Sequence, residues 1–214
     1  MQVQALVWDF DGVLLDSELQ HMDAEFETFR RFGFELPVEV AREYFGIKLK
    51  DYFNDVAARF RLKGPVERMI EEHYSTLKHY YGEVFNLTAH AHEVLSGLKR
   101  RYPMAIATSR ERELAQLAME RHGLTGYFRV IVYGEDVSAG KPDPEPYVTA
   151  CRLLGVAPSD SVAVEDAVAG FLSAKRAGMS VIARRAEHNR NGDFSSADWV
   201  VEDLRDIPGL LERA

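Results

Sequence analysis

The chain has 214 residues, 46% of them hydrophobic and 28% charged, with a formal net charge of −8. That length allows one domain with an insertion or two small domains, with a sizeable core either way. The acidic balance argues against a general nucleic-acid-binding role, no apolar run reaches the length of a membrane span, and the single cysteine, Cys151, excludes an internal disulfide framework and fits a reducing, cytoplasmic setting.

Residues 1–4 carry neither a basic stretch nor a cleavable apolar segment, so no secretion signal is expected. Residues 3–8 read as the first strand, whose run Ala5-Leu6-Val7-Trp8 leads directly into Asp9-Phe10-Asp11-Gly12. Side chains two apart on a strand leave on the same side, so Asp9 and Asp11 are expected together. Two close carboxylates repel when both are ionised. One tends to keep its proton, and the pair attracts a hard cation such as Mg²⁺. Asp11-Gly12 alone would read as a turn; the second carboxylate at the end of a buried run points instead to a site.

Residues 16–82 contain no convincing strand. Helical segments are expected near 18–32, 38–44, 50–60 and 66–81, separated by Gly33, Pro37, Gly46 and Gly64-Pro65. Phe26, Phe29, Phe32 and Phe34 supply one apolar face, and Tyr52, Phe53, Val56 and Phe60 another. The region reads as a helical subdomain inserted after the first strand. It would sit over the strand's C-terminal end, where parallel α/β sheets bind ligands, as a lid that excludes water and selects substrates.

Beyond it, strands at 104–107, 130–133, 162–164 and 181–183, with a short one at 199–201, alternate with helices. The helices are expected at 91–101, 111–122, 144–154 and 167–177, with a short one near the C-terminus. Cys151 falls on one of them, where packing is its expected role. Asp143-Pro144 reads as an N-cap followed by a first-turn proline, and Gly123, Gly155 and Gly178 as helix terminators. The alternation implies a parallel sheet with helices on both faces.

Three of these strands are followed by polar groups. Thr108-Ser109 offers hydroxyls and backbone N–H groups at a strand-to-helix turn, which suits an anion, although a helix N-cap explains them equally when taken alone. Lys141 lies in the loop Gly140-Lys141-Pro142-Asp143-Pro144, where prolines stiffen the backbone behind it. A fixed ammonium there would offset charge on a phosphate and a nucleophile; the alternative is a solvated turn lysine. Glu165-Asp166 ends a buried run, where acids are costly unless paired or metal-bound. An N-cap would need only one of them, so Asp166 is expected to complete a Mg²⁺ shell with Asp9.

In this order the residues resemble the haloacid dehalogenase superfamily, in its branch of β-phosphoglucomutases and small-molecule phosphatases with a helical cap. The stretch Asp9-Phe10-Asp11-Gly12-Val13-Leu14-Leu15-Asp16-Ser17-Glu18 is similar to the first motif, Thr108 to the second, Lys141-Pro142-Asp143-Pro144 to the third, and Glu165-Asp166 with Ala169-Gly170 to the fourth. The resemblance implies a Rossmann-like core of residues 1–15 and 83–214 with an inserted all-helical cap of residues 16–82. It implies Asp9 as nucleophile and Asp11 as acid and base, with Asp9's negative charge favouring a proton on Asp11 and Mg²⁺ opposing it. It implies Mg²⁺ held by Asp9, Asp166 and the backbone carbonyl of Asp11 with Glu165 nearby, and Thr108 and Lys141 on the transferring phosphate. Ser109, Arg110 and His21 are expected substrate contacts, though Arg110 and His21 also fit a helix surface.

The sequence departs from the pattern at Thr88-Ala89-His90-Ala91, where many relatives carry Pro-Gly, and at Ser109-Arg110-Glu111-Arg112. The acidic stretch Met69-Ile70-Glu71-Glu72 offers no cap lysine of the mutase kind, which favours a phosphatase of a small sugar-phosphate-like metabolite over a hexose phosphate mutase. A phospho-accepting signalling domain shares the Asp, Thr and Lys set but lacks a large cap. The expected partner is a small phosphorylated substrate, with no nucleic acid or membrane, and the chain is expected to be a monomer.

Overall fold

The computed structural model describes residues 3–213. Residues 1, 2 and 214 lie outside the described residues; they include part of the stretch read above for a leader and the outer ends of the expected core. The first half of the chain runs β1 (Ala5–Trp8), β2 (Leu15–Asp16), α1 (Glu18–Arg31), α2 (Val38–Glu43), α3 (Leu49–Phe60), α4 (Val66–His79), a π-helical turn (Tyr80–Val84) and β3 (Asn86–Leu87). The second half runs α5 (Ala91–Leu98), β4 (Met104–Ala107), α6 (Arg112–Arg121), β5 (Val130–Val132), α7 (Glu145–Leu154), β6 (Ser161–Glu165), α8 (Val168–Arg176), β7 (Ser180–Arg184), β8 (Trp199–Val201) and α9 (Ile207–Leu211).

Six strands form one parallel sheet in the order β5-β4-β1-β6-β7-β8. Alternation along β1 sorts its side chains between two cores. Leu6 and Trp8 join Ile106, Val164 and Ile182 against Leu95 of α5, Leu114 of α6 and Ile207 of α9. Val7 joins Ala105, Ala163 and Val181 against Tyr147 of α7 and Phe171 of α8. Alanines dominate this second face, which leaves room for the two large rings. Cys151 is buried in the same cluster, in the packing role its position suggested. The sheet is thus covered on both faces, as the alternation predicts.

The central register fixes where polar groups emerge. Trp8 stands opposite Ile106 of β4 and Val164 of β6, so Asp9, Thr108 and Glu165 leave the same C-terminal edge. Asp9 N–H still donates to Val164 O at 2.9 Å, and Thr108 N–H to Val132 O at 3.0 Å. Both side chains therefore stand on backbone that the sheet holds.

Helices α1 to α4 form the cap. In α3, Leu49, Tyr52, Phe53, Val56 and Ala57 are buried, the spacing of a helix with one apolar stripe. Phe53 stacks on Phe29 of α1, with ring centroids 4.8 Å apart and planes 13° from parallel. The chain enters and leaves this region through the antiparallel pair β2–β3, with Leu15 opposite Leu87. Two-residue strands carry no readable periodicity, which is why residue 16 read as strand-free.

At the second crossing His90 adopts φ 65°. It occupies the left-handed conformation that a glycine would take without strain. Helix α7 begins at Glu145, whose N–H donates to Asp143 Oδ1 at 2.9 Å; the first-turn proline is Pro146 rather than Pro144. Helix α5 stops at Leu98, before the expected 101. Among the described residues no helix is long and apolar enough to cross a membrane.

Candidate active site

Lys141 lies at the centre of the sheet edge. Its ammonium donates to Asp9 Oδ1 and to Glu165 Oε1, both at 2.6 Å, with the side chain 1% exposed. An ammonium has three donors, so one remains for a ligand. Burial alone would make the lysine easier to deprotonate, but Asp9 and Glu165 outweigh it and raise its pKa. Glu165 is fully committed: Oε1 also accepts from Tyr147 Oη at 2.6 Å, and Oε2 accepts the N–H groups of Asp166 and Ala167. The first turn of α8 passes directly over it. A Cβ on Gly170 would lie 1.7 Å from Glu165 Oε1, so only glycine fits there.

Asp166 points to the other side of the same edge. His188 Nε2 lies 2.5 Å from its Oδ2, and Asn189 Nδ2 donates to its carbonyl at 2.8 Å. Gly12 lets the first loop approach it, because a Cβ there would sit 1.9 Å from Oδ2. Oxygens of Asp9, Glu165 and Asp166 lie within 4.8 Å of one another, all buried. Burial first, then Glu165, pushes the Asp9 and Asp166 carboxyls well above the usual carboxylate range, against the pull of Lys141 on Asp9 and of Arg184 and Lys141 on Asp166. Three carboxyls crowd a small volume, with the Lys141 ammonium between Asp9 and Glu165 and the Arg184 guanidinium acting on Asp166 from outside it. A hard divalent cation with oxygen ligands fits that donor set. Asp9 and Asp166 have oxygens to offer, whereas Glu165 already spends both.

Asp11 faces away from this cluster, toward the cap. Its Oδ1 accepts from Ser17 Oγ at 3.0 Å and Tyr81 Oη at 2.5 Å, and lies 3.3 Å from His21 Nε2. Its Oδ2 accepts from Arg110 Nε at 3.0 Å. Tyr81 spends its single hydrogen on Asp11, so His21 Nε2, 3.0 Å from Tyr81 Oη, carries the proton that bridges them. Burial alone would raise the Asp11 pKa. Arg110 and then His21 and Tyr81 outweigh it, and the carboxylate stays ionised below its ordinary range. This corrects the expectation that Asp9 favours a proton on Asp11. Beyond Trp8 the chain leaves the strand, the two side chains diverge, and the groups that set Asp11's charge belong to the cap side.

Thr108 is 2% exposed, and its Oγ1 accepts the Arg110 N–H at 3.1 Å. Its hydroxyl hydrogen remains free to donate. Ser109 differs from expectation: its hydroxyl donates to Gly46 O of the cap at 2.5 Å, so in this state it docks the cap. Arg110 and His21 both line a chamber between cap and core, together with Glu18, Glu25 and Tyr52. Its free volume is about 20 Å³, room for about one water. Chemically, the edge offers a buried carboxylate beside an ammonium and a free hydroxyl. Such a set can receive an electrophile whose anionic oxygens the last two hold.

The pattern of the family described as haloacid dehalogenase-like hydrolase matches residues 6–184. The chain belongs to this family. Within it, the chain falls in the small-molecule phosphatase branch. It is 34% identical over 203 residues to validoxylamine A 7'-phosphate phosphatase of Streptomyces hygroscopicus subsp. limoneus, covering 94% of each chain. It is 29% identical over 181 residues to a phosphorylated carbohydrates phosphatase of Thermotoga maritima, covering 84% of each. The crystal structure of CbbY from Rhodobacter sphaeroides in complex with phosphate superposes with a TM-score of 0.83 at 25% identity, covering 96% of each chain.

Several groups at this hydrolase site were missed in the sequence. Arg184, at the end of β7, donates to the Gly12 carbonyl, and His188 and Asn189 follow in the next loop. The sequence does carry a signal for them: they trail the apolar run of β7 as the other site residues trail theirs. Tyr81 and Tyr147 carried no such signal, because each lies on a helical stretch whose packing angle the sequence does not encode.

Proposed function

We propose that the chain is a Mg²⁺-dependent phosphatase of a small, sugar-phosphate-like metabolite, working through an aspartyl phosphate on Asp9. The observation that carries this reading is the Lys141 ammonium, which bridges Asp9 and Glu165 at 2.6 Å each. It leaves the second oxygen of Asp9 for attack in line with a phosphate held by Lys141 and Thr108. Phosphoryl transfer depends mainly on such positioning and on neutralising the equatorial oxygens. Asp9, Asp166 and the Asp11 carbonyl would hold Mg²⁺, with Glu165 behind them fixing Lys141. The ion would supply charge neutralisation at the phosphoryl oxygens.

Asp11 would protonate the leaving oxygen and then activate water. In its present hydrogen bonds it is the base, the form that the second step needs. The two named relatives are phosphatases of a validoxylamine phosphate and of phosphorylated carbohydrates, which supports a polyol phosphate as substrate. The chamber argues against a mutase. Its cap side contributes Glu18, Glu25, Tyr44 and Tyr52 and no lysine or arginine to hold a second phosphate.

The test is Asp9→Asn, assayed for phosphate release from a panel of phosphorylated carbohydrates with Mg²⁺, alongside trapping of an acyl phosphate on the protein. Turnover and trapped phosphate should both vanish. An Asn variant that keeps substantial Mg²⁺-dependent turnover would refute the nucleophile assignment.

A further inference from the structure

The wall of the chamber that would face the organic part of a substrate is acidic. Glu18, the first residue of α1, is 7% exposed and lines the chamber, yet it makes no hydrogen bond or ion pair with any described residue. Glu25 lies two turns further along the same face, about 10 Å by helix rise. It also lines the chamber, and its one partner is Tyr52 Oη of α3, at 3.1 Å. Burial pushes the Glu25 carboxyl up to about 8. Arg110 is the only fixed cation on the lining, and it is already bound to Asp11.

A carboxyl that is buried without a partner carries a free-energy penalty. Such a group in a cleft is explained when a ligand completes it. What completes two such carboxyls is a donor, best a charged one, which draws them into the ionised form. A second phosphate would instead find no free cation on this wall to pair with it, and would repel either carboxyl once ionised, in a space that excludes water.

We propose that Glu18 and Glu25 form the subsite for the organic part of the substrate: they select phosphomonoesters that present hydrogen-bond donors, an ammonium before a hydroxyl, and reject those that carry a second phosphate. The proposal rests on the phosphatase reading above. Glu18 is the inner end of the subsite, nearest Asp11 and Asp166, whose charges act on it. Glu25 is the outer end, where Tyr52 orients it.

The experiment compares kcat/KM with Mg²⁺ for glucosamine 6-phosphate, glucose 6-phosphate, fructose 1,6-bisphosphate and acetyl phosphate. It uses the wild type, Glu25→Gln and Glu18→Gln. The wild type should prefer the amine to the neutral sugar and disfavour the bisphosphate. In Glu25→Gln the amine-to-neutral ratio should fall about tenfold, the scale of a lost charge-assisted hydrogen bond, and the bisphosphate should gain on the neutral sugar. Thermal melting separates this from a structural role. Replacing the partnerless Glu18 carboxyl by an isosteric amide should hold or raise Tm, whereas a structural glutamate would lower it and reduce all four substrates alike. Unchanged ratios in both variants, or a lowered Tm with uniform losses, would overturn the subsite. No turnover of acetyl phosphate, which carries no amine or hydroxyl for the subsite to select, would sink the phosphatase reading itself and the subsite with it.

Discussion

Asp11 receives hydrogen bonds from Ser17, Tyr81 and Arg110 and stands within reach of His21. Ser17 and His21 belong to the start of the cap, Tyr81 to its end and Arg110 to the core. The state of one carboxylate therefore reports where the cap sits. Of these, Arg110 lowers its pKa most. On the reading proposed above, the ionised form activates water, so activity should fall as pH drops through the Asp11 pKa. Arg110→Ala should move that acidic limb to higher pH, by about one to three units, the usual effect of a neighbouring guanidinium. The measurement is kcat against pH for an ester with a good leaving group, where hydrolysis of the intermediate sets the rate. A limb that stays in place would mean Arg110 does not govern this group. At this scale the sequence was informative where a residue's position follows from the sheet. Asp9, Thr108, Lys141 and Glu165-Asp166 all trail apolar runs, and the structure brings them to one edge. It was uninformative where position follows from cap packing, as for Tyr81, Glu25 and the Ser109 hydroxyl that turns to Gly46.

The cap holds together through helix pairs, and between α1 and α4 a buried polar contact sits inside them. His73 of α4 is 1% exposed, its ring centroid 5.1 Å from that of Phe53, with Nδ1 3.0 Å from Thr28 Oγ1 of α1. Thr28 spends its hydrogen on Ala24 O at 2.8 Å, so His73 Nδ1 is the donor. Burial, helped by His21 and Arg110, lowers the His73 pKa to about 3, against an ordinary 6.5. The unfolded chain thus binds a proton that the folded one refuses. Stability from this group is complete above pH 6.5 and declines as pH falls toward 3. Between pH 6.5 and 5 the loss is about 2 kcal/mol. His73→Asn retains a donor near Nδ1 and cannot titrate. Its denaturant midpoint should fall less than the wild type's between pH 7.5 and 5; equal falls would show that His73 charges freely in the folded state. The element pattern itself was readable in the sequence: α3 and α4 show helical spacing of apolar residues, and every strand of the large sheet was found. What escaped were β2 and β3, two residues each, and the π-helical turn at Tyr80–Val84, which continues the α4 pattern without a break in sequence.

The whole molecule is caught with its cap shut. Ser109 donates to Gly46 O at 2.5 Å, Lys48 Nζ to Val137 O at 2.8 Å, and Tyr74 Oη to Glu113 at 2.8 Å. The first of these contacts borders a chamber of about 20 Å³; on the phosphatase reading proposed above, the cap would have to lift for a substrate to reach that chamber, and closing again would exclude water from the reaction. The cap loop makes this approach at Gly46, which has φ +77° and would place a Cβ 3.0 Å from that of Ala167 in the core. A side chain there costs twice: about 1–2 kcal/mol for the left-handed backbone, and further strain against Ala167 that opening would relieve. Gly33 separates the two costs, because its φ is +78° and a Cβ there would meet nothing within 4 Å. Gly33→Ala should lower cap stability by roughly the backbone term and leave closure intact. Gly46→Ala should in addition lower kcat/KM several-fold and expose the crossings at residues 14–17 and 84–88 to limited proteolysis. If the two variants lose activity equally, backbone strain alone accounts for the effect, and contact between Gly46 and Ala167 is not what holds the cap down.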